Sequence, residues 1–222
     1  FPFEVIRTVD RAIAKALGEY EYDARVLALA LVYHARGLEP TEAARQALAG
    51  QRENDPAFEI AARAAQSFYG YLHENPPPLF DGAKETLSAL LKAGNVLILH
   101  SEGQHDRVHK TLALHQLDGF FHRVVIERKS ETSFRQARTL GQAMYSRAHA
   151  VPPCGCIVVG DAPQRDILFG NLIGALTVMK VGGMWGANIP PDPLHQPDYV
   201  ISHWEELLHL DPRARRKRNT AP

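Results

Sequence analysis

The sequence predicts a parallel α/β fold that follows an all-helical amino-terminal segment. Residues 1 to about 75 carry apolar side chains at helical spacing and contain no convincing strand. From Leu79 onward, short apolar runs of strand length alternate with stretches of helical length. Strands separated by helices are typical of βαβ units, so we expect a parallel sheet in this second part.

The amino-terminal segment has the pattern of a small helical bundle. An apolar stripe at helical spacing indicates the first helix: Val5, Ile6, Val9, Ile13 and Leu17. A second stripe covers residues 26 to 34, and Thr41 is the predicted N-cap of a short third helix. Asp55 followed by Pro56 predicts the start of another helix, because proline is favoured at the first helical position. We therefore expect four or five helices joined by short loops.

A proline run, Asn75-Pro76-Pro77-Pro78, separates the two parts of the chain. Prolines stiffen a linker and cannot continue a helix. We therefore expect a helical domain over residues 1–78 and an α/β core over residues 79–210. The remaining residues, 211–222, are rich in arginine and read as a basic, solvated and disordered tail.

Within the second part the pattern places each strand and helix. The expected strands cover residues 96–99, 121–126, 157–159, 175–178 and 199–201. The expected helices cover residues 81–93, 104–115, 130–148, 164–173 and 204–208. Ile157, Val158 and Val159 are β-branched and unbroken, which predicts a strand covered on both faces, and Gly160 is expected to let the backbone turn.

Composition narrows the class of protein. The 222 residues are 45% apolar and their formal charge sums to zero, so no overall field favours nucleic acid or membrane. No apolar run approaches the roughly 20 residues of a membrane span. The two cysteines, Cys154 and Cys156, are too close for an ordinary disulfide and too few for a structural zinc site. We expect Cys156 to begin the buried strand and the protein to be cytoplasmic.

Two carboxylates follow the strand over residues 157–159. Asp161 lies at the predicted carboxyl end of the strand and Asp166 at the start of the next helix, five positions later. Open α/β sheets bind ligands at this edge, and one or two carboxylates suffice for magnesium. The alternative is an ordinary βα loop with a solvated Asp161 and with Asp166 stabilised by the helix dipole.

Polar groups also follow the first two predicted strands. Ser101-Glu102-Gly103 comes before a helix, where a hydroxyl and backbone N–H groups form an anion cradle. Lys129 lies just before the next helix, where its ammonium could reach the same anion. Because these groups follow three successive strands, we expect Ser101, Lys129, Asp161 and Asp166 to converge on one crevice that binds phosphate and Mg²⁺.

These residues resemble the motifs of the haloacid dehalogenase-like superfamily of hydrolases. Residues 95–103 look like its second motif, a strand ending in serine or threonine, and Lys129 is in the position of its third-motif lysine. Gly160, Asp161 and Asp166 match its fourth motif. The resemblance covers residues 79–210 and implies a Rossmann-like core. The helices before it look like the superfamily's inserted α-helical cap.

The resemblance assigns roles to these side chains. Ser101 would hydrogen-bond the transferring phosphoryl group, with Glu102 and Gly103 beside it in the phosphate-binding loop. Lys129 would balance charge on the nucleophile and phosphate. Asp161 would hold Mg²⁺, with Asp166 at the metal or just behind it. The cap would close over the crevice and select the substrate.

Two departures from the superfamily pattern matter. Its first motif, an apolar strand ending Asp-x-Asp, supplies the nucleophile and is not present in the 222 residues. Phe1 stands about where the chain would leave that strand, so we expect the motif just upstream of residue 1. A core without this strand would leave two strands unpaired on facing edges, which is costly. Glu102 is the second departure, because its carboxylate would repel phosphate unless it turns outward.

The sequence thus predicts a magnesium-dependent phosphatase that acts on a small phosphorylated metabolite, conditional on an upstream Asp-x-Asp motif. The upstream aspartate would form an aspartyl-phosphate that water then hydrolyses. One alternative is a haloacid dehalogenase, which would not need magnesium. The other is a catalytically inactive relative that binds a ligand or protein partner through cap and crevice. Substrate identity and oligomeric state stay open, and nucleic-acid binding by the basic tail is the weakest hypothesis.

Overall fold

The computed structural model describes residues 1–17, 24–49, 55–75, 78–149, 155–182, 189 and 191–210. The chain divides into two compact units, Phe1–Pro77 and Pro78–Pro222. The predicted basic tail over residues 211–222 and Cys154 lie outside the described residues. Within the described ranges, no helix combines the length and the apolar character needed to cross a bilayer.

The described residues of the first unit form helices only, as the sequence predicted. The helices are α1 (Phe3–Leu17), α2 (Ala24–Ala35), α3 (Pro40–Ala49) and α4 (Pro56–Glu74). Helix α2 packs against the other three. The contacts use large side chains such as Ile13 and Leu29 together with small buried ones such as Ala43 and Ala61, which let helices approach closely.

Two helix starts in this unit test the capping predictions. Asp55 caps α4 as predicted: its carboxylate accepts a hydrogen bond from the Ala57 amide at 2.8 Å. This hydrogen bond holds the pKa of the Asp55 carboxyl below its usual value. The prediction for Thr41 is wrong, because α3 begins one residue earlier, at Pro40. Proline is tolerated there because the amide it lacks would have no partner within the helix.

The second unit is a parallel α/β structure, which confirms the predicted fold class. The helices are α5 (Ala83–Lys92), α6 (His105–Leu114), α7 (Glu131–His149) and α8 (Leu168–Leu172). The strands are β1 (Ile98–Ser101), β2 (Arg123–Ile126), β3 (Ile157–Gly160), β4 (Leu176–Lys180) and β5 (Tyr199–Ile201). A π-helix covers Pro163–Ile167, and 3₁₀-helices cover Pro193–His195 and Trp204–His209. Every strand pair is parallel.

The described strands of the second unit form two sheets, where we expected a single sheet. One sheet has the order β1-β2 and the other has the order β3-β4-β5. Among the described residues, β1 and β3 each have one hydrogen-bonded neighbour, so each keeps an open edge. Helix α7 connects the two sheets. The centroid of its Phe134 ring lies 4.9 Å from the ring centroid of His100 in β1 and 5.8 Å from that of Phe169 in α8.

Strand β1 begins two residues later than the sequence predicted. The preceding residues are used elsewhere: the Asn95 amide donates to the Leu90 carbonyl at the end of α5, and the Leu97 amide donates to Nδ1 of His122 at 3.2 Å. The ladder with β2 therefore starts at Ile98 and ends at Ser101. Ser101 is consequently the last residue of the strand and not part of the loop after it.

The prediction that β3 is covered on both faces is wrong at Ile157, whose side chain is 45% exposed. The fully covered strand is β4, which lies between β3 and β5 and has all five residues buried. Cys156 precedes β3 and does not begin it. The apolar runs of both strands look alike in sequence, and only the sheet order decides which of them is central.

A close contact between α8 and the sheet gives a test of packing in the second unit. A Cβ atom at Gly170 would lie 2.6 Å from the Thr177 Cγ2 atom and 3.1 Å from the Val158 Cβ atom. We expect Gly170→Ala to lower the free energy of unfolding by about 1–3 kcal/mol, since both neighbours are attached to strand backbone. Urea-induced unfolding followed by circular dichroism measures this change.

The matched control is Gly119→Ala, because a Cβ atom at Gly119 would have no neighbour within 4 Å. Its free energy of unfolding should stay within about 0.5 kcal/mol of the original. Equal stabilities for the two variants would contradict the close packing of α8 on β3 and β4.

Candidate active site

The predicted site residues lie around the carboxyl ends of strands from both sheets. Ser101 ends β1 and is followed by Glu102 and Gly103, while Lys129 lies three residues after the end of β2. Asp161 directly follows β3, and Asp166 lies in the π-helix that comes next. Since these strands belong to two sheets, side-chain contacts decide which residues meet.

Lys129 and Asp166 form a buried ion pair between the two sheets. The Lys129 ammonium donates to the Asp166 Oδ1 atom at 2.7 Å, and the two side chains are 16% and 6% exposed. The other carboxylate oxygen of Asp166 accepts the Ala162 amide at 3.2 Å. Two residues that are far apart in the sequence are thus in direct contact.

Glu102 does not turn outward. Its Oε1 atom accepts the backbone amide of Lys129 at 2.6 Å, and its Oε2 atom pairs with the Arg165 guanidinium. The Glu102 and Arg165 side chains are only 13% and 16% exposed. Arg165 therefore offsets the charge that the sequence analysis expected to repel a phosphate.

Arg165 is a residue that the sequence analysis missed. Arg165 directly precedes Asp166 in the sequence. A cationic residue next to a predicted site carboxylate could have identified Arg165 as a candidate site residue. No spacing rule connects residues 102 and 165, so the partner of Glu102 becomes visible only in the folded chain.

The loop after β1 folds back on Ser101. The Gly103 amide donates to the Ser101 Oγ atom at 3.1 Å, and the Glu127 amide donates to the Ser101 carbonyl at 3.0 Å. Acting as an acceptor leaves the Ser101 hydroxyl proton for donation to another group. A Cβ atom at Gly103 would lie 3.0 Å from the Val108 Cγ2 atom, so a larger residue here would require a small shift of its neighbours.

Gly160 has a different role from the turn that the sequence suggested. It lies within β3 and its φ is not positive. A Cβ atom on Gly160 would lie 2.2 Å from the Asp166 carboxylate carbon, which is a severe overlap. The missing side chain therefore makes room for Asp166 against the end of the strand, beside the half-buried Asp161.

His100 is a second group near the site that the sequence analysis did not single out. Burial lowers the pKa of His100, and the positive charge of Lys129 lowers it further. The His100 Nε2 atom is buried and has no hydrogen-bond partner among the described residues. A lowered pKa keeps the imidazole neutral at neutral pH, so Lys129 and Arg165 carry the positive charge here.

The oxygen donors of the site fit the chemistry of magnesium. Asp161 and Asp166 offer carboxylate oxygens, and Mg²⁺ commonly takes one or two carboxylates together with water and substrate phosphate. Both Asp166 oxygens already accept hydrogen bonds, although each keeps a second lone pair. Among the described residues, no three His, Cys, Asp or Glu side chains are grouped to hold a metal. Such a site depends on oxygens supplied by water or substrate.

Solved structures with similar folds were compared with this chain. One is a protein from Haemophilus somnus 129pt that is designated a predicted phosphoglycolate phosphatase. The match covers 93% of this chain and 91% of that protein, with a TM-score of 0.55 and 19% sequence identity. Another is YfnB from Bacillus subtilis, which is designated a HAD-hydrolase and is bound to magnesium. The match covers 94% of this chain and 92% of YfnB, with a TM-score of 0.53 and 19% sequence identity. At these identities the likeness shows the fold alone.

A third similar structure is a HAD phosphatase from Thermococcus onnurineus. The match covers 90% of this chain and 90% of that protein, with a TM-score of 0.51 and 17% sequence identity. A search of curated proteins found no significant match to this sequence.

A family model described as haloacid dehalogenase-like hydrolase matches residues 7–180. This match covers most of the 222 residues and includes both the helical unit and the loops that carry Ser101, Lys129, Asp161 and Asp166. The chain belongs to the haloacid dehalogenase-like hydrolase family.

Proposed function

We propose that the protein is a magnesium-dependent phosphatase that acts on a small phosphate ester. The observation that carries this proposal is the buried Lys129–Asp166 pair, with an ammonium-to-carboxylate distance of 2.7 Å, beside the Ser101 loop and Asp161. Phosphoryl transfer depends mainly on positioning and on neutralising charge, and these are the groups that such a site requires. The similar structures designated as phosphatases support the same reaction class.

Each side chain has a task in this proposal. The Ser101 hydroxyl donates a hydrogen bond to a phosphoryl oxygen, and Lys129 offsets negative charge on the phosphoryl group. Asp161 would hold Mg²⁺, with Asp166 at the metal or just behind it, and the metal would supply charge neutralisation for the transferring group. Glu102 keeps Arg165 and the loop before Lys129 in place through its two carboxylate oxygens.

The nucleophile of the proposed reaction is a carboxylate from outside these 222 residues, because no Asp-x-Asp pair occurs among them. An aspartate encoded ahead of Phe1 would attack phosphorus, and the ester oxygen would leave as an alcohol after taking a proton. Water would then cleave the aspartyl-phosphate and release inorganic phosphate. The open edges of β1 and β3 support a further strand that carries this aspartate.

A second candidate is a catalytically inactive family member that binds a ligand or a protein partner. The observation that favours it is the internal pairing of charges, because Lys129 and Arg165 each already bind a carboxylate. A phosphate would have to compete with Asp166 and Glu102 for these cations.

The first test of this proposal is enzymatic. We expect the 222-residue chain to release no phosphate, and the chain extended to its natural start to hydrolyse small phosphate esters only with Mg²⁺. In the extended chain, Asp161→Asn should lower kcat/KM by roughly a hundredfold or more, because it removes a charge that holds the metal. Phosphate release from an ester panel, with and without Mg²⁺, measures both expectations.

The matched control is Asp106→Asn, which makes the same change at a side chain that is 96% exposed and should leave activity unchanged. Activity in the 222-residue chain would show that its nucleophile lies within these residues. Inactivity of the extended chain on esters would reject the phosphatase. Turnover of halo-acids without magnesium would then favour a dehalogenase, and no turnover would favour the binding protein.

The second test concerns the charge of Glu102. Glu102→Gln removes the counter-charge of Arg165 and should tighten the binding of inorganic phosphate by roughly three- to tenfold at low salt. Isothermal titration calorimetry of the 222-residue chain with phosphate measures this affinity.

The control variant is Glu85→Gln, the same substitution on the exposed first turn of α5, which should not change phosphate affinity. Unchanged phosphate binding by Glu102→Gln would contradict a phosphate position near Arg165. That result would favour the inactive binding protein.

A further inference from the structure

The outer edge of β2 is open. Among the described residues, β2 pairs with β1 alone. The His122 amide, just before β2, donates to the Leu97 carbonyl at 2.9 Å, on the side of β1. Because the N–H and C=O groups of successive residues alternate between the two edges, those of Arg123 and Val125 point away from β1. This edge presents backbone donors and acceptors to any strand that approaches it.

A cavity of about 530 Å³ follows this edge. Residues Arg123 to Glu127 line one side, and the rest is lined by His105 of α6 and by Ser133, Gln136, Ala137 and Leu140 of α7. The Leu140 side chain is 37% exposed, so apolar surface lies beside the open backbone groups. The combination of unpaired edge and apolar flank suits an added strand.

The sequence of this edge is complementary to itself. Residues 123–127 read Arg-Val-Val-Ile-Glu, with a cation at one end and an anion at the other. In an antiparallel pairing centred on Val125, the side chains of Arg123 and Glu127 would lie opposite each other, and each Val124 would lie opposite an Ile126. Glu127 follows the last residue of β2 and its amide already donates to the Ser101 carbonyl of β1, so Glu127 would take part through its side chain. The Arg123 and Glu127 side chains are exposed, and neither has a hydrogen bond or ion pair with another described side chain.

We propose that this edge binds a second copy of the chain, so that two β2 strands pair antiparallel about a two-fold axis at Val125. The same patch then serves both copies, as an isologous dimer requires. Opposite charges and β-branched residues across an antiparallel pair each stabilise it modestly. A strand pair with one helix flank makes a small interface, and interfaces below about 1,200 Å² are typical of weak association. The dimer therefore forms in a concentration-dependent equilibrium.

Charge reversal on the 222-residue chain tests this geometry. Arg123→Glu and Glu127→Arg each place like charges opposite each other twice in the dimer. Each variant should therefore raise the dimer dissociation constant by about tenfold or more. The double variant Arg123→Glu/Glu127→Arg restores both opposite pairs and should recover an affinity close to the original. Sedimentation-velocity and sedimentation-equilibrium ultracentrifugation over a range of protein concentrations measure the constants.

Two further variants make the outcome specific. Arg63→Glu carries the same charge change on an exposed position of α4 and should leave the dimer unchanged. Val125→Pro removes the central amide donor while keeping both charges, and should abolish the dimer, with circular dichroism as the check on folding.

A chain that stays monomeric at all concentrations would overturn the proposal. That result would mean that Arg123 and Glu127 prevent other strands from pairing with this edge. Dimers that are unaffected by the single reversals would place the interface elsewhere and would overturn it as well. Failure of the double variant to recover affinity would contradict the antiparallel register.

Discussion

The ion pair between Lys129 and Asp166 is the interaction on which the rest of the candidate site depends. It joins the loop after β2 to the π-helix after β3, and these elements belong to different sheets. Both side chains are largely buried, so removing one partner would leave an uncompensated buried charge, at a cost of about 3–5 kcal/mol. Gly160 is part of the same arrangement because a side chain there would overlap the Asp166 carboxylate.

A second pair, Glu102–Arg165, runs between the same two regions and changes how the site is understood electrostatically. By itself, Glu102 argues against phosphate. With Arg165 beside it and the Lys129 amide on its other oxygen, it becomes part of the support for the loop. The two pairs together give a crevice that is charged locally but nearly neutral in sum. A phosphate that enters would compete with Asp166 and Glu102 for Lys129 and Arg165.

Open strand edges are the other constraint on this molecule. Backbone groups at an edge need partners, and the described strands leave such groups at β1, at β3 and on the outer sides of β2 and β5. The edges differ in chemistry. Those of β1 and β3 end beside the proposed catalytic groups, which suits a strand that carries a nucleophile. That of β2 carries a cation and an anion in a self-complementary order, which suits a second copy.

The sequence by itself determined the elements and the types of group at the site. Helical periodicity, the Asp55 cap and the alternation after Leu79 identified the helices and the parallel α/β class, because these signals are local. Local signals failed where a neighbour decides: β1 starts at Ile98 because Asn95 and Leu97 bond elsewhere.

Only the tertiary structure decided which side chains meet. No sequence signal predicted the pair between Glu102 and Arg165, and the expected convergence of Lys129 and Asp166 on one crevice did not specify their direct contact. The same holds for burial, since β3 and β4 have similar apolar runs and differ only in the number of strands beside them. Which charges pair and which strands are buried depends on contacts between distant residues, and these contacts form only when the chain has folded.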